Sequence, residues 1–314
     1  MSKEFSPVLL ATKKKKAKRV GGVAYSVFRI CFLIGLAFVI LYPLLYMVSL
    51  AVRQPTDLLD ITVVWIPKNF TWDNLRRVMV KIDYWNSLGK TASISLLCSV
   101  LQCFSCSLAG YGFARFKFKL RGPLFVLVLL TLMVPPQIVM MPSYVNYVNF
   151  TTATGIPTIN TLIPLALPAL FGQGLRSGLF IVIFRQFFKG LPLELEDAAY
   201  IDGCAPRSAF WRVVLPNAGS ILLIVFLFSL VWYWNDYFNV SLYYNEAQPL
   251  SSVVTNLEQN LITSFNEFGT HYTGQEMKIF VHTACLLFVL PMLIIYLFLQ
   301  KQFTQSIVNA GIVG

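Results

Sequence analysis

The stretch FRICFLIGLAFVILYPLLYMVSL, Phe28 to Leu50, is apolar over the length that decides the fold. A bilayer hydrocarbon core about 30 Å thick needs roughly 20 apolar residues of helix to cross it. The run is too long for the apolar core of a cleaved signal peptide, and no small-residue cleavage site follows, so it reads as a retained spanning helix. Five further runs follow, at about Thr91 to Phe113, Pro123 to Met141, Leu162 to Phe187 with a break near Gly172 to Gly174, Ala218 to Phe238, and Ile279 to Leu299. The expected fold is all-α: a polytopic membrane protein with six transmembrane helices. Composition agrees, since hydrophobic residues make up 56% and charged residues 12% of 314 positions, with a mean hydropathy of +0.66.

A formal charge of +11 would suit a nucleic-acid binder, but much of it sits in two short clusters beside apolar runs. One is Lys13, Lys14, Lys15, Lys16, Lys18 and Arg19; the other is Arg115, Lys117, Lys119 and Arg121. Lys301 follows the last run, Ser143 to Asn160 carries no charge, and Asn239 to Met277 contains four acids and no Lys or Arg. Basic loops stay inside, so both termini are expected in the cytoplasm, with no nucleic-acid partner. The longer outer segment Ala51 to Gly89 mixes both signs and weighs less. The expected organisation is a basic tail over 1–27, a membrane domain over 28–300, and a tail over 301–314. Within the domain lie an inner connector at 189–217 and an outer loop at 239–277.

Several catalytic patterns fail on inspection. Gly89, Lys90 and Thr91 end like a phosphate loop, but Tyr84 stands where its first glycine belongs. Cys103 and Cys106 have dithiol spacing inside an apolar run and read as small packing residues. His271 and His282 have no clustered carboxylate or thiolate, so no metal site is expected. The sequons at Asn69, Asn149 and Asn239 matter only in a secretory pathway. No enzyme chemistry is expected of this chain.

The inner connector between helices four and five is the informative stretch. It runs Leu191, Pro192, Leu193, Glu194, Leu195, Glu196, Asp197, Ala198, Ala199, Tyr200, Ile201, Asp202, Gly203, Cys204, Ala205, Pro206, Arg207, and closes on Val213, Val214, Leu215, Pro216. Pro192 suits a first helical turn, the acids suit a helix amino end, and Gly203 suits a left-handed stop before Pro206 opens the next helix. Ala198 and Ala199 leave room for a partner's backbone, and Leu195, Tyr200, Phe210 and Trp211 offer apolar contact.

The spacing Asp197, Ala198, Ala199, three residues, Gly203, nine residues, then Val213 to Pro216 resembles the EAA signature, E-A-A-x3-G-x9-I-x-L-P. That signature marks inner-membrane permease subunits of binding-protein-dependent ABC importers. The chain departs from it at Asp197 for glutamate and Val213 for isoleucine, keeping charge and apolar character. Pro67, Asn69, Phe70, Thr71 and Asn74, the stretch Ala109 to Arg115, Met133 to Gln137, and Trp234 to Asp236 are similar to landmarks of the carbohydrate branch, the maltose and oligosaccharide type. The resemblance implies that Glu196, Asp197, Ala198, Ala199, Gly203, Leu215 and Pro216 form a coupling helix on a cytoplasmic ABC ATPase dimer. It implies ATP and Mg on that ATPase and no cofactor on this chain. It also implies a second permease as heterodimer partner, an extracytoplasmic solute-binding protein, and the plasma or inner membrane of a prokaryote.

For the substrate pathway the candidates are Arg176, Gln137 and Asn235. An arginine inside a span costs roughly 2.5–3.5 kcal/mol if unpaired. Arg176 either lines a watery cavity, where it would hold an acidic sugar, or pairs with carbonyls or an acid of the partner subunit, or snorkels. Two rival functions stand beside the sugar importer: an ABC permease for another solute, and a secondary transporter, which would call for inverted repeats and intramembrane ionisable residues.

Overall fold

A computed structural model of the protein describes residues 7–63, 65–246, 248–268 and 272–312, including the side chains of 25–263 and 272–302 within those ranges. His271, the first six residues and the terminal Gly314 lie outside them. Among the described residues there is no strand; an isolated bridge pairs Arg53 with Phe70. The helices are α1 (Pro7–Ala51), α2 (Asp73–Lys81), α3 (Tyr84–Arg115), α4 (Arg121–Thr131), α5 (Pro136–Thr154), α6 (Ile163–Leu170), α7 (Ser177–Gly190) and α8 (Glu194–Ile201). There follow α9 (Pro206–Ala209), a π turn at Phe210–Val214, α10 (Leu215–Asn217), α11 (Gly219–Trp234), α12 (Phe238–Tyr243), α13 (Leu250–Thr255), α14 (Leu257–Phe268) and α15 (Gly274–Ile312).

Among the described residues three helices are long and apolar enough to cross a membrane, Tyr25–Ala51, α3 and Gly274–Gln302, and two bent pairs raise the number to five if each is one span. The bend between α4 and α5 is 96°, and that between Pro206–Asn217 and α11 is 78°. The run Pro123 to Met141 is thus not one straight helix, as its hydropathy suggests. Pro135 and Pro136 have no N–H to donate, and the residue before a proline is held extended; Pro135 sits at ψ 128°. Ser143 to Asn160, which reads as a loop, is mostly the body of α5. The expected break in the fourth run is present between α6 and α7, with Gly172 and Arg176 both at positive φ.

The centre of the fold is α3, packed by α6, α7 and α11. Its inward stripe is small and weakly polar: Ser95, Cys98, Ser99, Cys103, Cys106, Ser107 and Gly110 are all buried. Lipid tails are as apolar as Leu, so membrane helices gain little from apolar burial against one another and rely on close approach through small residues. Cys103 and Cys106 lie in the core with Phe180, Phe184 and Val225, as packing residues. A Cβ on Gly110 would meet Phe184 Cβ at 2.5 Å and Arg185 N at 2.9 Å. Gly110→Ala should cost about 1–3 kcal/mol by overpacking, read as a lowered Tm of the detergent-solubilised protein; an unchanged Tm would contradict the close α3–α7 contact.

By contrast, α4 and α5 bury no residue, and the part of α1 from Tyr25 presents most of its apolar surface outward. Such surface calls for lipid or another subunit. The segment after α1 is held by polar contacts on the residues resembling the carbohydrate-branch landmark. Asn69 donates its backbone N–H and Nδ2 to Asp57 at 2.9 and 2.8 Å, and the backbone bond above all holds that carboxyl below its usual range. Asn74 Nδ2 donates to the carbonyls of Arg53 and Ala51. The stretch 239–277, read as a loop, is largely helical in α12, α13 and α14, and its Leu250, Leu257 and Leu261 are buried with Leu50, Val78 and Ile279.

Candidate functional site

Two places concentrate the unusual geometry. The first is the connector, where α8 is a two-turn helix stopped at Gly203. Gly203 sits at φ +81°, its N–H donates to Tyr200 O at 3.0 Å, and Cys204 N–H donates to Ala199 O at 2.9 Å. This pair of bonds is the left-handed helix stop that glycine favours. Pro192 lies before the helix and not in its first turn, since α8 begins at Glu194.

The faces of α8 are sharply divided. Asp197, Ala198, Leu193, Tyr200 and Ile201 are exposed, and Leu195 is exposed beside them. Glu196 and Ala199, read from sequence as facing outward with Asp197 and Ala198, are instead buried. Glu196 Oε2 accepts from the Tyr111 hydroxyl at 2.8 Å, and its Oε1 lies 2.7 Å from Arg115 Nε. Arg115 Nη2 donates to Leu191 O at 2.8 Å. A charge is buried only with a partner, and here the partner is on α3. Phe210 is likewise no surface contact: it is buried against Tyr111, with ring centroids 4.8 Å apart. Trp211 stays exposed, Leu215 is half-buried and Pro216 is exposed.

The second place is a cavity of about 450 Å³ at the two helix breaks. Its walls include Met140, Ser143 and Tyr147 of α5, Pro168 of α6, the segment Gly172–Gly178, and Tyr233, Asn239 and Tyr243. Among the described residues, no acidic one lines it. The volume is that of a small-molecule site. Backbone groups at the break are satisfied by other helices: Leu175 N–H donates to Tyr233 Oη at 3.2 Å, and Leu175 O accepts from Gln102 Nε2 at 2.5 Å. Irregular backbone at membrane depth is tolerated where it lines a cavity or is buried in protein.

Arg176 is not within a helix. It caps α7 in the left-handed region at φ 58°, lines the cavity, and holds its guanidinium 5.5 Å from the Trp232 ring centre. Of the three pathway candidates it alone lines the cavity; Gln137 and Asn235 do not. Asn235 Nδ2 donates to Val231 O at 2.8 Å, and Asp236 accepts from Asn239, so this landmark shapes a chain corner. Tyr147, Tyr233, Tyr243 and Gln102 carry no signal in the sequence: Gln102 and Tyr233 are single polar residues in apolar runs, and Tyr147 and Tyr243 stand in stretches that read as loops.

The family model for the binding-protein-dependent transport system inner membrane component matches residues 106–309, more than half of the chain. The chain belongs to that family. The inner membrane component is 28% identical over 286 residues to the arabinooligosaccharides transport system permease protein AraQ of Halalkalibacterium halodurans, covering 89% of this chain and 93% of that one. It is 29% identical to the lactose transport system permease protein LacG of Rhizobium radiobacter, covering 92% and 95%. Its fold is similar, with a TM-score of 0.70 and 18% identity over 96% of this chain and all of the other, to a chain in a crystal structure of a bacterial ABC transporter involved in the import of the acidic polysaccharide alginate. The inner membrane component is therefore a membrane-embedded part of an ABC transport system, which sets the secondary-transporter reading aside.

Proposed function

We propose that the chain is one of two permease subunits of an ABC importer and forms, with the second, the pathway for a carbohydrate delivered by an extracytoplasmic solute-binding protein. ATP and Mg belong to a separate cytoplasmic ATPase dimer, which α8 engages. The two termini lie in the cytoplasm, and the chain crosses the membrane six times, with the α6–α7 pair as a broken fourth span.

The observation that carries the coupling role is the outward face of α8, which presents Asp197, Ala198 and exposed apolar side chains beside a glycine stop. Ala198 leaves space for a partner's backbone, and Asp197 can meet a cation at a cleft rim. Ala198→Trp should detach the ATPase from the solubilised membrane subunits in a pull-down while leaving their insertion unchanged. Retention of the ATPase would contradict the assignment.

The relatives' names, arabinooligosaccharides and lactose, support a sugar as the solute. A narrower reading, an acidic oligosaccharide, is favoured by the cavity's lack of carboxylates and by Arg176 on its wall. A guanidinium holds a carboxylate by paired hydrogen bonds. Arg176→Gln should then lower uptake of an acidic oligosaccharide about tenfold or more, at the 1.5–3 kcal/mol of a charged hydrogen bond, and leave a neutral one unchanged. Equal loss for both, or none, would contradict the acidic reading.

A further inference from the structure

We propose that α3 is a connecting rod between the coupling helix and the cavity wall, with Tyr111, Arg115 and Glu196 as positioning residues at its inner end and Gln102 at the other. The proposal rests on the assignment of α8 as the ATPase contact.

At the inner end, Tyr111 and Arg115 lie one helical turn apart on α3 and grip the same carboxylate of α8, while Arg115 also holds Leu191 O in the preceding turn. Tyr111 is seated on Phe188 and Phe210, so the grip is anchored in the aromatic core. At the other end, Gln102 is fully buried and makes three polar contacts. Its Nε2 donates to Leu175 O at 2.5 Å and Ser177 Oγ at 2.9 Å, and its Oε1 accepts from Ser229 Oγ at 2.8 Å. Leu175 and Ser177 flank Arg176 on the cavity wall.

Between these ends α3 is unbroken and free of proline, and the stretch from Gln102 to Arg115 spans roughly 20 Å at 1.5 Å per residue. Gly110 locks it against α7, which itself runs from the break to within a few residues of α8. A displacement of α8 is therefore carried to Leu175 and Ser177 by a rigid helix pair. A buried ion pair often does no more for stability than well-packed apolar residues; its role here is to fix the direction and register of α8 against α3.

The test uses the complete importer in proteoliposomes, and reads solute imported per ATP hydrolysed together with the Tm of the solubilised complex. The inner grip is removed in Tyr111→Phe, Arg115→Leu, Glu196→Leu, the outer one in Gln102→Leu, and both in the combined variant. Sites this far apart add in stability. Each alone should lower solute per ATP about tenfold, in the range of site-to-site coupling, and the combined variant should fall no further, while the Tm losses sum. Wild-type solute per ATP in either, or losses that multiply in the combined variant, would overturn the rod. Should the inner variant fail to assemble, Arg115→Glu with Glu196→Arg takes its place: assembly with normal coupling supports the proposal, and assembly without coupling, or no assembly, overturns it. Ala198→Trp separates the two levels. If it leaves the ATPase bound, the α8 assignment falls; if it releases the ATPase while the grip variants couple normally, the rod alone falls.

Discussion

Gly203→Pro should abolish ATP-driven uptake while the chain still inserts in the membrane. The native residue sits at φ +81°, and proline is fixed near −65°, so the left-handed stop cannot form. The substitution also removes the N–H that donates to Tyr200 O, and it pushes Asp202 out of helical geometry. The local cost is about 1 kcal/mol or more, concentrated at the end of a helix only two turns long. α8 would lose its end and the orientation of Asp197 and Ala198, whereas the buried α3–α7 contacts are remote from the change. The measurement is uptake and binding-protein-stimulated ATP hydrolysis, with membrane fractionation as the control. Wild-type values in an inserted variant would show that α8 is not the coupling element.

Leu261→Ala should cost about 2–5 kcal/mol, seen as a lower Tm with insertion intact. Leu261 is fully buried on α14, in a cluster with Leu50, Val78, Leu257 and Ile279 that ties α14 to α1, α2 and α15. A Tm equal to wild type would mean that α14 is not packed as described. The consequence reaches function. Shortening Asn256 to Gly269, to ask whether this stretch meets a solute-binding protein, would delete the core residues Leu257 and Leu261, so loss of uptake would report stability as much as docking. The exposed residues Glu258, Gln259 and Asn260 are the ones to change in a search for binding-protein contact.

Much of this architecture was legible because its determinants are local. Apolar run length marks three to five of the six expected spans, Gly203 and Pro206 punctuate the connector, and Gly172 to Gly174 announce a break. The structure keeps the two glycine features, with Gly172 and Gly203 both at positive φ. Hydropathy averages along the chain and does not register direction, so the 96° turn at Pro135 and Pro136 was hidden inside an apolar run, though the proline pair was itself the signal. The outer loop was misread for the converse reason. Polar residues such as Gln248, Asn256 and Gln259 mask buried Leu250, Leu257 and Leu261, whose partners lie on helices distant in sequence.

At the candidate site the same limit applies. Helical spacing puts Glu196 and Ala199 on one face of α8 and leaves Asp197 and Ala198 on another, but does not say which face is inside. What decides it is Arg115, from an element more than seventy residues earlier. The pair was visible only as two unconnected signals, a basic inner cluster and an acidic helix start. Arg176 was found because a charge in an apolar run is conspicuous; Gln102 and the cavity tyrosines are polar but neutral and gave no such contrast.

The account is tested most directly by accumulation of a radiolabelled oligosaccharide in proteoliposomes holding this chain, its second permease and the ATPase. Solute-binding protein is supplied outside and Mg-ATP inside, with no ion gradient. Accumulation that requires both, and that ceases with Ala198→Trp, is the expected result. Accumulation driven by an imposed proton or sodium gradient without ATP or the ATPase would contradict it.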